Sequence, residues 1–319
     1  VRLTVAWLNK YSGVLLFDKP TGVTSHDMVY RVRRILQQQE VGHTGTLDPM
    51  ATGLMVMCIG RATKIAQFIS NLEKSYVADV TLGLSSATYD AEGLDPHALP
   101  VDTSHLTKAD VLAVLNGFVG TQMQQVPAHS AVKINGEHLY ELARRGQDLE
   151  LPEREISITS LQLLSYENAT MRIEVHCSKG TYIRTLANQI GERLGCGAYL
   201  SALRRTTVGP FSVLDAVTDI QLEKFAAAGE AERALMPISQ VLQFGSICIQ
   251  DTFRQQVGHG RVPNWTDVSR VEGVFEIGDR VMIKSLAGEV LAVGIAGSSS
   301  HGFVDHDGQP VSSYVRVLA

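Results

Sequence analysis

Apolar and polar positions along the chain change period several times, and each change marks an element. Gly13 to Phe17 is a short apolar run, read as a strand. Val29, Val32, Ile35 and Leu36 recur at helical spacing, so a helix is expected from an N-cap at Ser25 to about Gln38. Leu54 to Ile59 is continuously apolar, which suits a strand covered on both faces. Ala62 to Ile69 fits a short helix with Ile65, Ala66 and Ile69 inward. Tyr76, Ala78, Val80 and Leu82 alternate with period two and put Tyr76 on the apolar face of a strand.

The second half continues in the same manner. Thr107 and Asp110 form a capping-box pattern that opens a helix through Leu115. Asn135-Gly136 signals a turn, and His138 to Arg145 a short helix stopped by Gly146. Met171, Ile173, Val175 and Cys177 alternate as a strand. Thr181 can cap a helix ending at Gly195 that buries Ile183, Leu186, Ala187, Ile190 and Leu194. Strands and helices are interspersed without a βαβ repeat, so the expected fold class is α+β with a mixed, largely antiparallel sheet. Beyond about residue 245, short apolar runs alternate with Gly273, Gly278, Gly288, Gly294 and Gly297, the texture of a small C-terminal β domain. The expected units are 1–245 and 246–319.

One segment resists a purely structural reading. Gly42-His43-Thr44-Gly45-Thr46-Leu47-Asp48-Pro49-Met50-Ala51-Thr52-Gly53 holds a single carboxylate among residues that favour turns. Pro49 pushes Asp48 out of the helical region. A carboxylate in a constrained loop against a buried strand is placed for chemistry. An Asx-turn would be the ordinary role of a lone Asp beside Pro.

This loop resembles the catalytic motif of the TruB-type tRNA pseudouridine synthases, and other stretches resemble that family's motifs in order. They are Asp18-Lys19-Pro20-Thr21-Gly22-Val23-Thr24-Ser25, Lys74-Ser75-Tyr76, Ser130-Ala131-Val132-Lys133 with Tyr140 to Arg144, Cys177 to Thr185, and Leu203-Arg204-Arg205. The resemblance implies the pseudouridine synthase core, an RNA-clasping insertion at about 124–152 and a PUA-like C-terminal domain. It implies isomerisation of uridine 55 in the tRNA T-loop with base flipping. Asp48 takes the essential catalytic role, Arg184 partners its carboxylate, and Tyr76 stacks on the uracil and serves as a base. Lys19, His43, Tyr182 and Leu203 complete the substrate-binding set. His129 departs from the aromatic residue that the family often carries before its Ser-Ala-x-Lys motif; a histidine can still stack on a base.

Composition changes this picture at one point. The formal net charge is −5, whereas an RNA-binding protein is expected to show a basic footprint. Phosphate contacts are therefore expected from the clusters Arg31/Arg33/Arg34, Arg61/Lys64, Arg144/Arg145 and Arg204/Arg205. The helical cluster at Arg31 is equally compatible with a solvated face. No run of eighteen apolar residues suggests a membrane span, and Val1 to Lys10 lacks a signal-peptide core, so a cytoplasmic monomer is expected. Cys58, Cys177, Cys196 and Cys248 are scattered and read as small buried residues rather than a zinc site. No metal or organic cofactor is expected. Two other functions fit parts of the pattern. One is a non-catalytic RNA-binding protein or tRNA chaperone. The other is a hydrolase pairing Asp48 with a second acid such as Asp90, for which the sequence gives no proximity.

Overall fold

The computed structural model describes residues 9–130, 132–134, 136–146, 150–302 and 308–318. In chain order its strands begin with β1 (Gly13–Lys19), β2 (Val41–His43), β3 (Thr52–Ile59), β4 (Lys74–Leu82) and β5 (Gly120–Gln125). They continue with β6 (Lys133–Ile134), β7 (Glu137–His138), β8 (Glu153–Glu167), β9 (Thr170–Cys177) and β10 (Ala198–Val208). The last are β11 (Phe211–Ser212), β12 (Leu235–Met236), β13 (Gly245–Ile249), β14 (Val268–Glu272), β15 (Arg280–Lys284), β16 (Val290–Ala296) and β17 (Val311–Val317). The helices used below are α1 (Ser25–Leu36), α2 (Ala66–Ser70), α3 (Lys108–Asn116), α4 (Leu139–Arg144), α5 (Ile183–Leu194) and α6 (Asp219–Ala227).

The main sheet runs β12-β1-β3-β10-β4-β9-β8-β5, with β2 added beside β3 and β11 beside β10. Of its described strand pairs only β3 with β10 is parallel. The expected largely antiparallel α+β architecture is therefore present. The apolar run at Leu54 is the buried strand β3, and the period-two stretches at Tyr76 and Met171 are β4 and β9. The long strands β8 and β10, which no simple alternation announces, join β9 and β4 to the rest of the sheet. The four cysteines are free and buried, as expected.

Several local expectations need correction. Helix α1 is capped by Thr24, in a capping box with Asp27, and Ser25 is already helical. The Ser25 hydroxyl instead donates to the Leu47 carbonyl and accepts from its N–H. The stretch at Ala62 is a tight 3₁₀ turn over Gly60–Ile65 followed by α2, not one helix. Helix α5 has Tyr182 at its N-cap without a side-chain cap, while Thr181 donates to the Ser178 carbonyl. Asn135 of the expected turn, Ala131 of the insertion and Val1 to Leu8 lie outside the described residues. The box at Thr107 and Asp110 forms as read.

A separate sheet, β14-β13-β15-β16-β17, follows residue 245. It has its own core, which includes Ile247, Phe253, Ile283 and Leu291. Its other face is not free. Met282, Val290, Val293 and Leu318 pack in one cluster with Val14, Leu16, Leu54 and Val56 of the main sheet. Arg61 and Arg254 both pair with Glu289, and Lys64 donates to the Leu318 carbonyl.

Candidate active site

The loop between β2 and β3 is tied down from several directions. Ser25 holds Leu47 on both its backbone groups, at 2.8 and 3.0 Å. Gly22 N–H donates to the Pro49 carbonyl at 2.9 Å, and Ala51 N–H to that of Asp48 at 3.0 Å. Lys19 is fully buried, and its Nζ donates to the carbonyls of Pro20, Pro49 and Ala51. Burial brings the Lys19 ammonium down to about 8. Arg205, almost fully buried, donates from Nε to Leu54 O at 2.7 Å and from its two NH₂ groups to Gly45 O and Thr46 O. Gly53 makes this possible. It sits at φ +99°, and a Cβ there would lie 2.3 Å from the Arg205 carbonyl oxygen.

These supports leave the Asp48 side chain one-third exposed, at the wall of a cleft of about 720 Å³. The cleft is also lined by His43, Tyr76, Tyr182, Arg184, Leu203 and Arg205. Six of the seven site residues expected from the sequence thus meet in one cavity. Lys19 is the exception: with no exposed surface it braces the loop from behind and is not positioned to touch a substrate.

Arg184 lies in the first turn of α5 and is buried. Its Nη2 donates to the His129 carbonyl at 2.7 Å and stands 3.6 Å from Asp48 Oδ1. Its Nη1 is 3.9 Å from Oδ2 of Asp90. The expectation that nothing brings Asp90 near Asp48 is therefore overturned: the two carboxylates flank one guanidinium. Asp90 is itself buried, accepting from Thr88 Oγ1 and Glu92 N–H. It does not line the cleft.

Electrostatics follow from this packing. Burial raises the Asp48 carboxyl above its ordinary value; Arg184 opposes the shift, Asp90 reinforces it and Lys19 opposes it. A desolvated carboxylate with one cationic partner is a competent nucleophile or charge stabiliser. Tyr76 is raised by burial, with the charge of Arg205 acting the other way. His43 is lowered by burial and by the charges of Arg205 and His26, so its ring is neutral at neutral pH. Its Nδ1 is buried with no hydrogen-bond partner among the described residues, as are Arg184 Nε and the hydroxyl of Ser130. Two guanidinium groups stand over the Tyr182 ring, that of Arg154 at 5.3 Å and that of Arg184 at 5.8 Å from its centroid. Gln124 of β5 fixes Tyr182 by bonding both its N–H and its carbonyl.

The arginine clusters expected to meet phosphate are largely used within the protein. Arg31 pairs with Asp219 at 2.7 Å, and Arg33 donates to the Val41 carbonyl. Arg61 pairs with Glu289, Arg145 with Glu137, and Arg204 with both oxygens of Asp18. Arg205 is buried, and the side chain of Arg144 lies outside the described residues. The cationic side chains lining the cleft are instead Lys74, Lys179, Arg184 and Arg205, and the rings of His26 and His129 lie beside them. Sequence reasoning missed Gln124, and it gave Asp90 and Arg205 other roles, as a second acid of a hydrolase and as a phosphate contact. Each acts through the fold, and no local spacing marks it.

Among the described residues no group of three or more His, Cys, Asp or Glu side chains is placed to hold a metal ion. No helix among them is long and apolar enough to cross a membrane.

Comparison with known proteins gives a consistent result. Residues 33–183 match the model of the TruB family pseudouridylate synthase (N terminal domain), and residues 184–243 that of the tRNA pseudouridylate synthase B C-terminal domain. The chain is 41% identical to tRNA pseudouridine synthase B of Bacillus subtilis (strain 168), over 88% of this chain and 92% of that one. It is 39% identical to the protein of the same name from Bacillus velezensis, over 92% and 96%. Among solved structures, a chain of a Cbf5-Nop10-Gar1 complex aligns with TM-score 0.72 and 26% identity, over 96% of this chain and 85% of its own.

Proposed function

The chain belongs to the TruB family of pseudouridylate synthases, and from that premise we propose that it isomerises uridine 55 in the T-loop of tRNA to pseudouridine. In this reaction the C1′–N1 bond breaks and a C1′–C5 bond forms. The proton on C5 leaves and N1 ends protonated, so the change is an isomerisation without a redox partner. The target base is stacked within the folded loop and must be flipped out, at a cost of a few kcal/mol. The neutral ring of His43 occupies the vacated space. Tyr76, Tyr182 and Leu203 hold the uracil. Asp48 stabilises or attacks the sugar or base as the glycosidic bond breaks, Arg184 aims and balances it, and Tyr76 takes the C5 proton as its own phenol proton passes to N1.

The observation that carries this reading is the Asp48–Arg184 pair at one wall of a cleft that Tyr76 also lines. A two-carboxylate hydrolase fits less well, because Asp90 is buried, shares the same guanidinium and cannot activate a water in the cleft. A purely RNA-binding role leaves the buried charge of Arg184 and the desolvation of Asp48 without a purpose. Residues 1–245 form the proposed catalytic unit, with 124–152 as its RNA-clasping insertion. Residues 246–319 form a PUA-like unit that adds tRNA contact. A cytoplasmic monomer working without a metal completes the proposal.

The test is to treat unmodified tRNA with the pure protein in excess EDTA and map its modified uridines. Pseudouridine at position 55, abolished by Asp48→Asn with tRNA binding retained, is the expected result. Release of free uracil would favour the hydrolase. Asp48→Asn turnover within tenfold of wild type would remove Asp48 from the chemistry.

A further inference from the structure

Among the described residues Arg205 is the largest fully buried side chain, and no carboxylate lies within salt-bridge distance of it. A buried guanidinium is costly unless its donors are satisfied. Here they are satisfied by backbone carbonyls. Nε reaches Leu54 at 2.7 Å, on the strand that leaves the catalytic loop. The two NH₂ groups reach Gly45 at 3.0 Å and Thr46 at 3.4 Å, on the segment that leads to Asp48. Arg205 is also the direct cross-strand partner of Tyr76 in the β4–β10 ladder and of Gly53 in the β3–β10 ladder. Its guanidinium lines the same cleft as Tyr76, and its charge draws the Tyr76 phenol down against the effect of burial. One residue therefore holds both arms of the Asp48 loop with its side chain and pairs with Tyr76 through its backbone.

We propose that Arg205 is a positioning residue for the isomerisation, which sets the distance between the Asp48 carboxylate and the Tyr76 hydroxyl by bonding the loop of the one with its side chain and pairing with the strand of the other through its backbone. The inference rests on the function proposed above and adds a residue to it. Lysine cannot replace this fork, because an ammonium is a compact point charge without the planar spread of donors. The arrangement also separates Arg205 from its neighbour Arg204, which turns to Asp18 and is half exposed. An arginine bound to phosphate needs an open face; Arg205 has 2% of its surface accessible.

The experiment is a double-mutant cycle on single-turnover rate at saturating enzyme, using wild type, Arg205→Lys, Tyr76→Phe and the double variant. Dissociation constants for tRNA are measured at several salt concentrations. Misplacing reacting groups by about 1 Å can cost on the order of 10²-fold. Arg205→Lys is therefore expected to slow the chemical step by roughly 10- to 100-fold, with tRNA affinity and its salt slope unchanged. In the Tyr76→Phe background the same change is expected to cost at least threefold less, because the hydroxyl whose distance from Asp48 it sets is already gone. Equal costs in both backgrounds would reduce Arg205 to general structural support and overturn the proposal. A salt slope flatter by about one unit with normal chemistry would make it a phosphate ligand and overturn it equally.

If Arg205→Lys does not fold, Arg205→Gln, which keeps a planar NH₂ donor, takes its place in the cycle. A measurement on folded protein stands beside it: the backbone amide ¹⁵N resonances of Gly45 to Asp48 should move in Arg205→Lys, and unmoved resonances would overturn the tie to the loop. Wild-type turnover in the same assay separates the two claims. An inactive wild type refutes the function and this inference with it, whereas an active wild type with equal costs refutes this inference alone.

Discussion

Arg184 and Asp90 are both almost wholly withdrawn from solvent, with Nη1 and Oδ2 3.9 Å apart, and Asp90 has no surface in the cleft. Asp90 thus reaches Asp48 from behind, through the guanidinium that faces both carboxylates and through its own charge. Its place behind the arginine explains how a cation can be held in the first turn of a helix, where the helix dipole disfavours it.

Replacing Asp90 by Asn keeps the shape of the side chain and removes its charge. The negative charge of Asp90 helps raise the Asp48 carboxyl, so its loss should lower the Asp48 pKa. If turnover needs ionised Asp48, the acid limb of the single-turnover pH profile should move to lower pH in Asp90→Asn. The rate on the plateau should fall by roughly tenfold or more as Arg184 loses a partner. An acid limb that stays in place would show that Asp90 does not reach Asp48 electrostatically.

Tyr76→Phe should separate chemistry from binding. The ring remains to stack on uracil, so tRNA affinity should hold within about threefold. A proton-transfer group contributes roughly 10²–10⁴ in rate. The single-turnover rate should fall in that range, and a rate within threefold of wild type would leave Tyr76 as a stacking surface only.

Lys19→Met tests the brace behind the loop. Three carbonyls lose their donor, and each unsatisfied buried group costs about 1–3 kcal/mol. Thermal stability and turnover should both drop. The pH dependence has a definite sign. Lys19 titrates near 8 when folded against 10.5 ordinarily, so between these values the unfolded chain holds the extra proton. Its contribution to stability therefore rises with pH across that window. Denaturant unfolding at pH 7.5 and 9.5 should show the gap between wild type and Lys19→Met widening at the higher pH; a constant gap would mean that Lys19 titrates normally.

Deleting residues 246–319 should destabilise the catalytic unit as well as weaken RNA binding. Met282, Val290, Val293 and Leu318 cover Val14, Leu16, Leu54 and Val56, and burying such a side chain is worth about 1.5–3 kcal/mol. A loss of several kcal/mol implies a melting temperature lower by about 10 °C or more. Differential scanning calorimetry of the truncated chain tests this. A truncation that melts like the full chain would show that the shared core does not stabilise the catalytic unit.

The sequence by itself determined the elements whose periodicity is local: β1, β3, β4, β9, α1 and α5, within a few residues at their ends. It also singled out the Asp48 loop, because glycine and proline restrict a backbone through their own covalent geometry. Tertiary structure decided what those elements face. A sequence shows that Arg61, Arg204 and Arg205 are cationic, but whether each meets phosphate, carboxylate or carbonyl depends on chain brought from far away. Arg204 finds Asp18 across 186 residues and Arg205 finds Gly45 across 160. Caps shifted for a related reason: Ser25 and Thr181 each have an eligible hydroxyl, yet Ser25 is taken by Leu47 and Thr181 by Ser178. The placement of Asp90 behind Arg184, and of the second sheet against the first, likewise required the fold. Charge pairing and burial are settled by distance in space, and in this protein the partners that matter most are far apart in the chain.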